Sequence, residues 1–339
     1  MKVRLLGILS AALLLPLLIA SCKKEEETKE YMTGTLYMDC EMPPYVKPGD
    51  VFTLKPHGVT APDGTAVGYY VNPPITGKKD TLKYEGAAYE YVIPASLGTY
   101  SISCVAYPKE SSDKYYVTSA SITFTIVSDD PDDGSITDVN RHPGDTQVSF
   151  DDRTYYAENV GGRSWVRSNF SHVERDSNDK EVFGRSFMDS PAMQNVFGAY
   201  YTWEEAQTVC PSGWHLPSEA EWVALLKEVG APADLAPLQD SPCGAGKLMV
   251  KARFNGSLMW DYYRNVNIED KALSAIPVGY ATVSGDTYKF SGYSQYAVFW
   301  TSDEYMGNGV YRYIFQEYDN VFVGTADKKS FAASVRCVR

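Results

Sequence analysis

The stretch that most constrains the fold is Cys210-Pro-Ser-Gly-Trp-His-Leu-Pro-Ser-Glu-Ala-Glu-Trp222. It reads as a helix end, a turn and a helix start. Just upstream, Thr202-Trp-Glu-Glu205 has the spacing of a capping box, in which hydroxyl and carboxylate reciprocally satisfy backbone N–H groups left over at a helix start. That spacing predicts a short helix over about 203–209, stopped by Pro211 and Gly213. Ser218-Glu-Ala-Glu221 repeats the box and opens a second helix, with Trp222, Leu225, Leu226 and Val229 on one face.

The first 21 residues read as a signal. Lys2 and Arg4 form a positive n-region, Leu5 to Leu18 is apolar, and Ile19-Ala-Ser-Cys22 ends it. The apolar run is shorter than the roughly 20 residues that span a bilayer. Ile-Ala-Ser-Cys resembles the lipobox of bacterial lipoproteins, which implies that Cys22 becomes a lipidated N-terminus. Each buried methylene adds ~0.8 kcal/mol of membrane affinity, so a multiply acylated cysteine is a lasting anchor. Residues 22–30 form a charged tether. Its lysines followed by glutamates resemble the surface-export signal of Bacteroidetes lipoproteins, so the expected location is the bacterial outer membrane, facing outward. The net charge of −12 argues against a nucleic-acid partner, whose phosphates need a basic face.

Residues 31–128 read as an all-β domain. Gly34 to Met42, Asp50 to Lys55, Ala66 to Val71, Thr81 to Tyr84, Tyr89 to Ile93, Thr99 to Tyr107 and Ser119 to Val127 alternate or run apolar, with turn residues such as Lys47-Pro-Gly-Asp50 between them. About seven short strands of this kind predict a sandwich. Ile93-Pro…Leu97-Gly-Thr-Tyr100-Ser-Ile-Ser-Cys104 resembles the penultimate strand of immunoglobulin-like and PKD-like domains. His57 is its only histidine and reads as solvated. The expected role is a spacer. Residues 129–142 read as an acidic linker. Asp129-Asp-Pro-Asp-Asp-Gly134 hints at a calcium loop, but proline replaces an oxygen ligand and no glutamate closes it. Six cysteines in an exported chain point to disulfides. Lipidation of Cys22 leaves an odd number, with Cys40 and Cys104 a possible pair and Cys243 the odd thiol.

The string Tyr201-x-Trp203…Ala206…Cys210-Pro-Ser-Gly-Trp-His-Leu-Pro-Ser-x-x-Glu-Trp222 resembles the core motif of the Fibrobacter succinogenes major paralogous domain. Gly161-Gly-Arg-Ser-Trp165-Val-Arg-Ser-Asn169 upstream fits the same family. So do Ser274-Ala-Ile-Pro277-Val-Gly279-Tyr, Phe299-Trp300-Thr-Ser302 and Ser334-Val-Arg-Cys337-Val-Arg339 downstream, in the family's order. The resemblance covers roughly residues 143–339 and implies an α+β, C-type lectin-like domain, with strands expected at 276–280, 288–291, 297–301, 310–316, 321–324 and 332–338. It also implies a disulfide from Cys210, at the end of the first helix, to Cys337 on the last strand. The formylglycine-generating enzymes share this fold, but their late cysteine pair has no counterpart here. An enzyme is therefore the lesser alternative, and Cys243 with His215 is the pair it would need. The lectins' calcium-dependent sugar motifs are also missing, and the cysteines and histidines do not make up a zinc-ligand set by their spacing. Neither a metal nor a cofactor is expected.

What remains is a binding surface. Trp260-Asp-Tyr-Tyr-Arg264, Tyr293-Ser-Gln-Tyr296, Tyr305-Met306 and Tyr311-Arg-Tyr313 concentrate aromatic side chains late in the chain. Aromatic residues with arginine bury much area at little rotamer cost, which suits recognition. Trp260, Tyr293, Tyr305, Tyr311 and Tyr313 are the candidate ligand contacts. The expectation is a non-catalytic surface lipoprotein that binds an extracellular glycan or protein. A structural subunit of a surface assembly, such as a fimbrial tip, is the alternative and would need an unpaired or donor strand in the first domain.

Overall fold

The computed structural model describes residues 28–74, 80, 81, 87–110, 113–130, 134–137, 144–150, 153–261 and 265–339. The signal, Cys22 and most of the tether lie outside the described residues, as do Tyr262, Tyr263 and Arg264.

The described chain is mostly β. In its first part, β1 (Thr33–Asp39), β2 (Tyr45–Val46), β3 (Val51–Thr60), β4 (Val67–Asn72), β5 (Asp80–Thr81), β6 (Tyr89–Val92), β7 (Gly98–Pro108) and β8 (Thr118–Ile126) follow in order. They form two sheets, β1-β3-β6 and β2-β8-β7-β4-β5. Every pairing is antiparallel except β2 with β8, where Val46 lies opposite Ile126. Residues of both sheets meet in two clusters: Leu36 and Val59 with Tyr69 and Val71 in one, and Leu54 and Tyr91 with Ile102 and Phe124 in the other. Cys40 and Cys104 do not bond; both are free thiols. Cys104 is wholly buried among the β4 and β7 side chains, and burial pushes its thiol up to about 11. Cys40 packs at the edge of a separate cluster, and the sandwich interior is closed by apolar contact rather than a staple.

Part of the stretch expected as an acidic linker pairs with the second half. Ile136–Thr137 pairs antiparallel with Arg253–Phe254, and the Asn255 N–H donates to the Ser135 carbonyl at 2.8 Å. Val127 is buried in the same cluster as Phe187, Phe197 and Phe254. The Tyr45 ring stands 5.7 Å from Phe187 and 6.1 Å from Phe254, and its N–H donates to Ser190 Oγ at 3.3 Å. The two halves therefore meet through an apolar contact.

The C-terminal half begins with the meander β9 (Thr146–Phe150), β10 (Arg153–Val160) and β11 (Arg163–Val166). Gly161 turns between the last two with φ +60°, and a Cβ there would stand 2.7 Å from the Leu225 backbone nitrogen, so glycine lets the turn lie against a helix. Next come β12 (Arg185–Ser186), β13 (Ala199–Thr202), and the helices α1 (Trp203–Val209) and α2 (Glu219–Glu228). Both capping boxes form as the spacing predicts. Trp222, Leu225, Leu226 and Val229 are all buried, with Trp222 edge-on to Trp165 at 5.2 Å. β14 (Tyr280–Ser284), β15 (Thr287–Ser291), β16 (Tyr296–Tyr305), β17 (Asn308–Phe315), β18 (Val321–Ala326) and β19 (Phe331–Ala333) complete the chain. They make a five-stranded sheet β12-β13-β19-β14-β15 and a three-stranded sheet β16-β17-β18.

Two expected strands are shorter than the pattern suggested. Residues 276–279 stay outside the ladder until Tyr280, because Pro277 has no N–H to give and Gly279 turns with φ +75°. Beyond Ala333 the last segment makes only single bridges, Ser334 to Phe299 and Val338 to both Trp165 and His215. It threads between different neighbours instead of extending one sheet. The disulfide Cys210–Cys337 pins it to the end of α1 across 127 residues.

Candidate functional site

Strand β17 alternates cleanly. Val310, Arg312, Ile314 and Gln316 are buried, while Tyr311, Tyr313 and Phe315 are half-exposed. Register places Tyr296 of β16 opposite Phe315, and Phe322 and Gly324 of β18 opposite Tyr313 and Tyr311. Gly324 has a specific role: a Cβ there would lie 2.3 Å from the Tyr311 ring, so only glycine lets that ring lie across the strand. Tyr280 and Phe331 arrive from the five-stranded sheet, and Tyr318, 51 % exposed, from the loop after β17.

The result is a continuous patch of aromatic rings. Tyr280 contacts Phe331 at 5.1 Å, Phe331 contacts Tyr311 at 5.1 Å, and Tyr311 contacts Tyr313 at 5.9 Å. Tyr313 stacks on Phe322 at 5.0 Å, and Phe315 joins Tyr296 at 4.7 Å and Tyr318 at 5.9 Å. Buried Trp300 meets the edges of Tyr311 and Phe331, and its indole N–H donates to the Tyr201 carbonyl at 2.8 Å, so the patch rests on a fixed floor. Burial raises the hydroxyl pKa of Tyr296, Tyr311 and Tyr313, and all three stay neutral at ordinary pH.

Of the five candidate contacts, Tyr311 and Tyr313 belong to this patch. Trp260 does not: it is 2 % exposed inside the core around α2, so its ring has no face to offer a ligand. Tyr293 stacks on Phe197 at 5.6 Å and touches Phe187 at 5.7 Å beside the contact between the halves. Tyr305 is 46 % exposed, next to Met306 at the tip of the β16–β17 hairpin, away from the stacked rings.

The pair an enzyme would need is not assembled. His215 directs Nε2 to Glu221 at 2.9 Å, where Arg163 also binds at 2.9 Å, and its backbone pairs with Val338. Cys243 instead donates to the Gly230 carbonyl at 3.5 Å. Among the described residues no group of three or more histidine, cysteine, aspartate or glutamate side chains could hold a metal ion.

A cavity of about 550 Å³ lies between residues 128–130 and 134–137 on one side and the C-terminal half on the other, lined in part by Arg153, Arg167, Asn169, Ser274 and Arg336. Its wall includes a polar knot. Arg167 binds Asp145 at 2.7 Å, approaches Glu158 and Asp270 at 3.7 Å, and bonds Ser274. Arg336 donates Nε to Asn169 at 2.9 Å and Nη1 to the Leu273 carbonyl at 2.7 Å. Burial, and after it the nearby Arg167, push the Arg336 pKa down to about 9. Arg336 is wholly buried, and its two bonds tie the C-terminal segment to Asn169 and to the segment at Leu273.

The sequence model of the Fibrobacter succinogenes major domain matches residues 159–339, from the end of β10 to the C-terminus. The chain belongs to the Fibrobacter succinogenes major domain family. None of the curated proteins matches it. The Fibrobacter domain here thus contains both capping boxes, the disulfide and every ring of the aromatic patch. Arg167, Asn169 and Arg336 lay inside the motifs that identified the family, and that was their sequence signal. Tyr280 also lay inside a family motif, whereas Phe322 and Phe331 had no such signal: Phe322 joins through the β17–β18 hairpin and Phe331 through non-sequential strand pairing.

Proposed function

We propose that this chain is a non-catalytic, lipid-anchored protein of the outer cell surface, whose Fibrobacter domain recognises an extracellular macromolecule through the aromatic patch. The observation that carries this reading is the patch itself: eight contiguous rings, half-exposed or exposed, held by a buried tryptophan and a required glycine. Apolar surface that is contiguous and rigid on an exported domain marks a contact site. Adhesion is the natural physiological role.

The lipobox-like Ile19-Ala-Ser-Cys22 supports anchoring through Cys22. The strand order of the first half supports an immunoglobulin-like sandwich, because two sheets of this order with a short parallel edge strand have that topology. In this reading the sandwich is a spacer, and the contact of Tyr45 and Val127 with the C-terminal half makes it a stiff one. The C-terminal half would be the lectin-like head. Its test is a screen of glycans and purified matrix proteins with the chain from residue 31, beside a Tyr311→Ser/Tyr313→Ser variant. Selective binding that the variant loses supports the reading; selective binding that it keeps sinks it.

A further inference from the structure

We propose that the ligand of the aromatic patch is a protein surface bearing arginine or lysine, rather than a glycan; this rests on the recognition role proposed above. The first argument is ring geometry. Tyr296 and Phe315 stand 4.7 Å apart with planes 16° apart, Tyr313 and Phe322 are 5.0 Å and 20° apart, and Phe331 lies 5.1 Å from both Tyr311, at 17°, and Tyr280, at 22°. Nearly parallel rings that close cannot lie side by side in one plane. They are offset-stacked, each covering a face of its neighbour. A sugar docks by laying its C–H groups on an open aromatic face, and each of these stacks already covers one face of each of its rings.

What the patch offers outward is ring edges and hydroxyls. Among the described residues, no protein group hydrogen-bonds the hydroxyls of Tyr280, Tyr296, Tyr311 or Tyr313. Rigid tyrosines that present apolar edges with a hydrogen-bonding tip are the side chains favoured for binding protein surfaces.

The second argument is charge. Asp240 is exposed beside β18, where it accepts the Val323 N–H at 2.8 Å, and Glu317 lies two residues past the end of β17. Neither carboxylate pairs with a cation among the described residues. Each is near enough to oppose ionisation of a patch tyrosine, Asp240 that of Tyr313 and Glu317 that of Tyr296, after the larger effect of burial. The lysines next to β19 are committed elsewhere, Lys328 to Glu304 at 2.5 Å and Lys329 to Glu204 at 3.6 Å. Lys289 lies at the far end, opposite Thr282. One side of the patch therefore has an unneutralised acidic rim, and a complementary partner places basic side chains there. Rim charges of this kind govern encounter rate and salt dependence.

The test pans a phage-displayed random-peptide library against the mature full chain, and probes a glycan array with the same preparation. The expected peptides are enriched in arginine and lysine. Their binding should fall roughly tenfold or more in Tyr313→Ser or Tyr318→Ser. It should lose most of its salt dependence in Asp240→Asn/Glu317→Gln. Tryptophan fluorescence verifies folding of each variant, since all six tryptophans lie between residues 165 and 300. An empty selection, peptides without basic enrichment, or binding indifferent to salt overturns the proposal. Glycans that bind and are lost in Tyr313→Ser overturn the partner class while keeping the patch as a recognition surface. Binding of either class undiminished by both serine variants overturns the patch reading too.

Discussion

Arg312 sits between Tyr311 and Tyr313 and points the opposite way, into the core. Its Nε and Nη2 grip the two oxygens of Glu219 at 2.8 and 2.5 Å, and Nη1 donates to the Gln239 carbonyl at 2.8 Å. Glu219, in the first turn of α2, also accepts the Leu238 N–H at 2.8 Å. Both side chains are essentially unexposed. Glu219→Ala leaves a guanidinium buried without its counter-charge, a change that costs about 3–5 kcal/mol. Total domain stability is typically about 5–15 kcal/mol, so the variant is marginal. Arg312→Met should cost less, because Glu219 keeps its N–H donor and the favourable field of the helix start. The double replacement Glu219→Leu/Arg312→Met should recover most of the loss, because removing both charges leaves neither stranded. Urea unfolding followed by tryptophan fluorescence reads the C-terminal half alone, the sandwich having no tryptophan. Because Arg312 fixes the strand that carries Tyr311 and Tyr313, ligand binding should track stability across the three variants. A Glu219→Ala cost below about 1 kcal/mol, or a double variant as weak as the sum of the singles, refutes the reasoning.

Three further outcomes are expected. Replacing both Cys210 and Cys337 with alanine opens a 127-residue loop and should cost up to about 5 kcal/mol in the chain-entropy treatment, seen as a lower urea midpoint on the same probe. Gly324→Val drives a side chain into the Tyr311 ring and should cost about 1–3 kcal/mol and weaken binding, with the Tyr311 ring displaced in NMR spectra. Burial pushes Tyr288 and Tyr293 up to about 12, so the folded chain holds these protons longer than the unfolded chain. Their stabilisation is intact below the unfolded value of about 10 and is lost as pH rises toward 12, which unfolding midpoints across that window should follow.

Local signals were legible in the sequence and non-local ones were not. Both capping boxes and the buried stripe Trp222, Leu225, Leu226 and Val229 are short-range patterns, and they appear as read. Most strands of the sandwich were also legible between their turn signals, but Tyr45–Val46 was not expected, and the run expected over Thr81 to Tyr84 lies outside the described residues beyond Thr81. The Cys210–Cys337 bond came from family resemblance, since no local pattern joins residues 127 apart. Trp260 looked available because it falls in a loop rich in polar residues, yet the loop folds over the core and buries it. The linker misled for the opposite reason: its acidic start is exposed, but Ile136–Thr137 finds a strand far downstream. The aromatic patch was half-visible through Tyr311 and Tyr313. Tyr280 and Phe331 come from sheet order β13-β19-β14, in which the last strand lies between two earlier ones, while the remaining rings sit on or beside β16, β17 and β18.

The most direct test of the central claim is hydroxyl-radical footprinting of the full chain with and without its selected ligand. The account predicts protection of Tyr311, Tyr313, Tyr318 and Phe322 together, with little change at the Tyr305–Met306 tip. Protection confined to that tip or to the cavity beside Arg153, with the patch equally oxidised in both states, would contradict it.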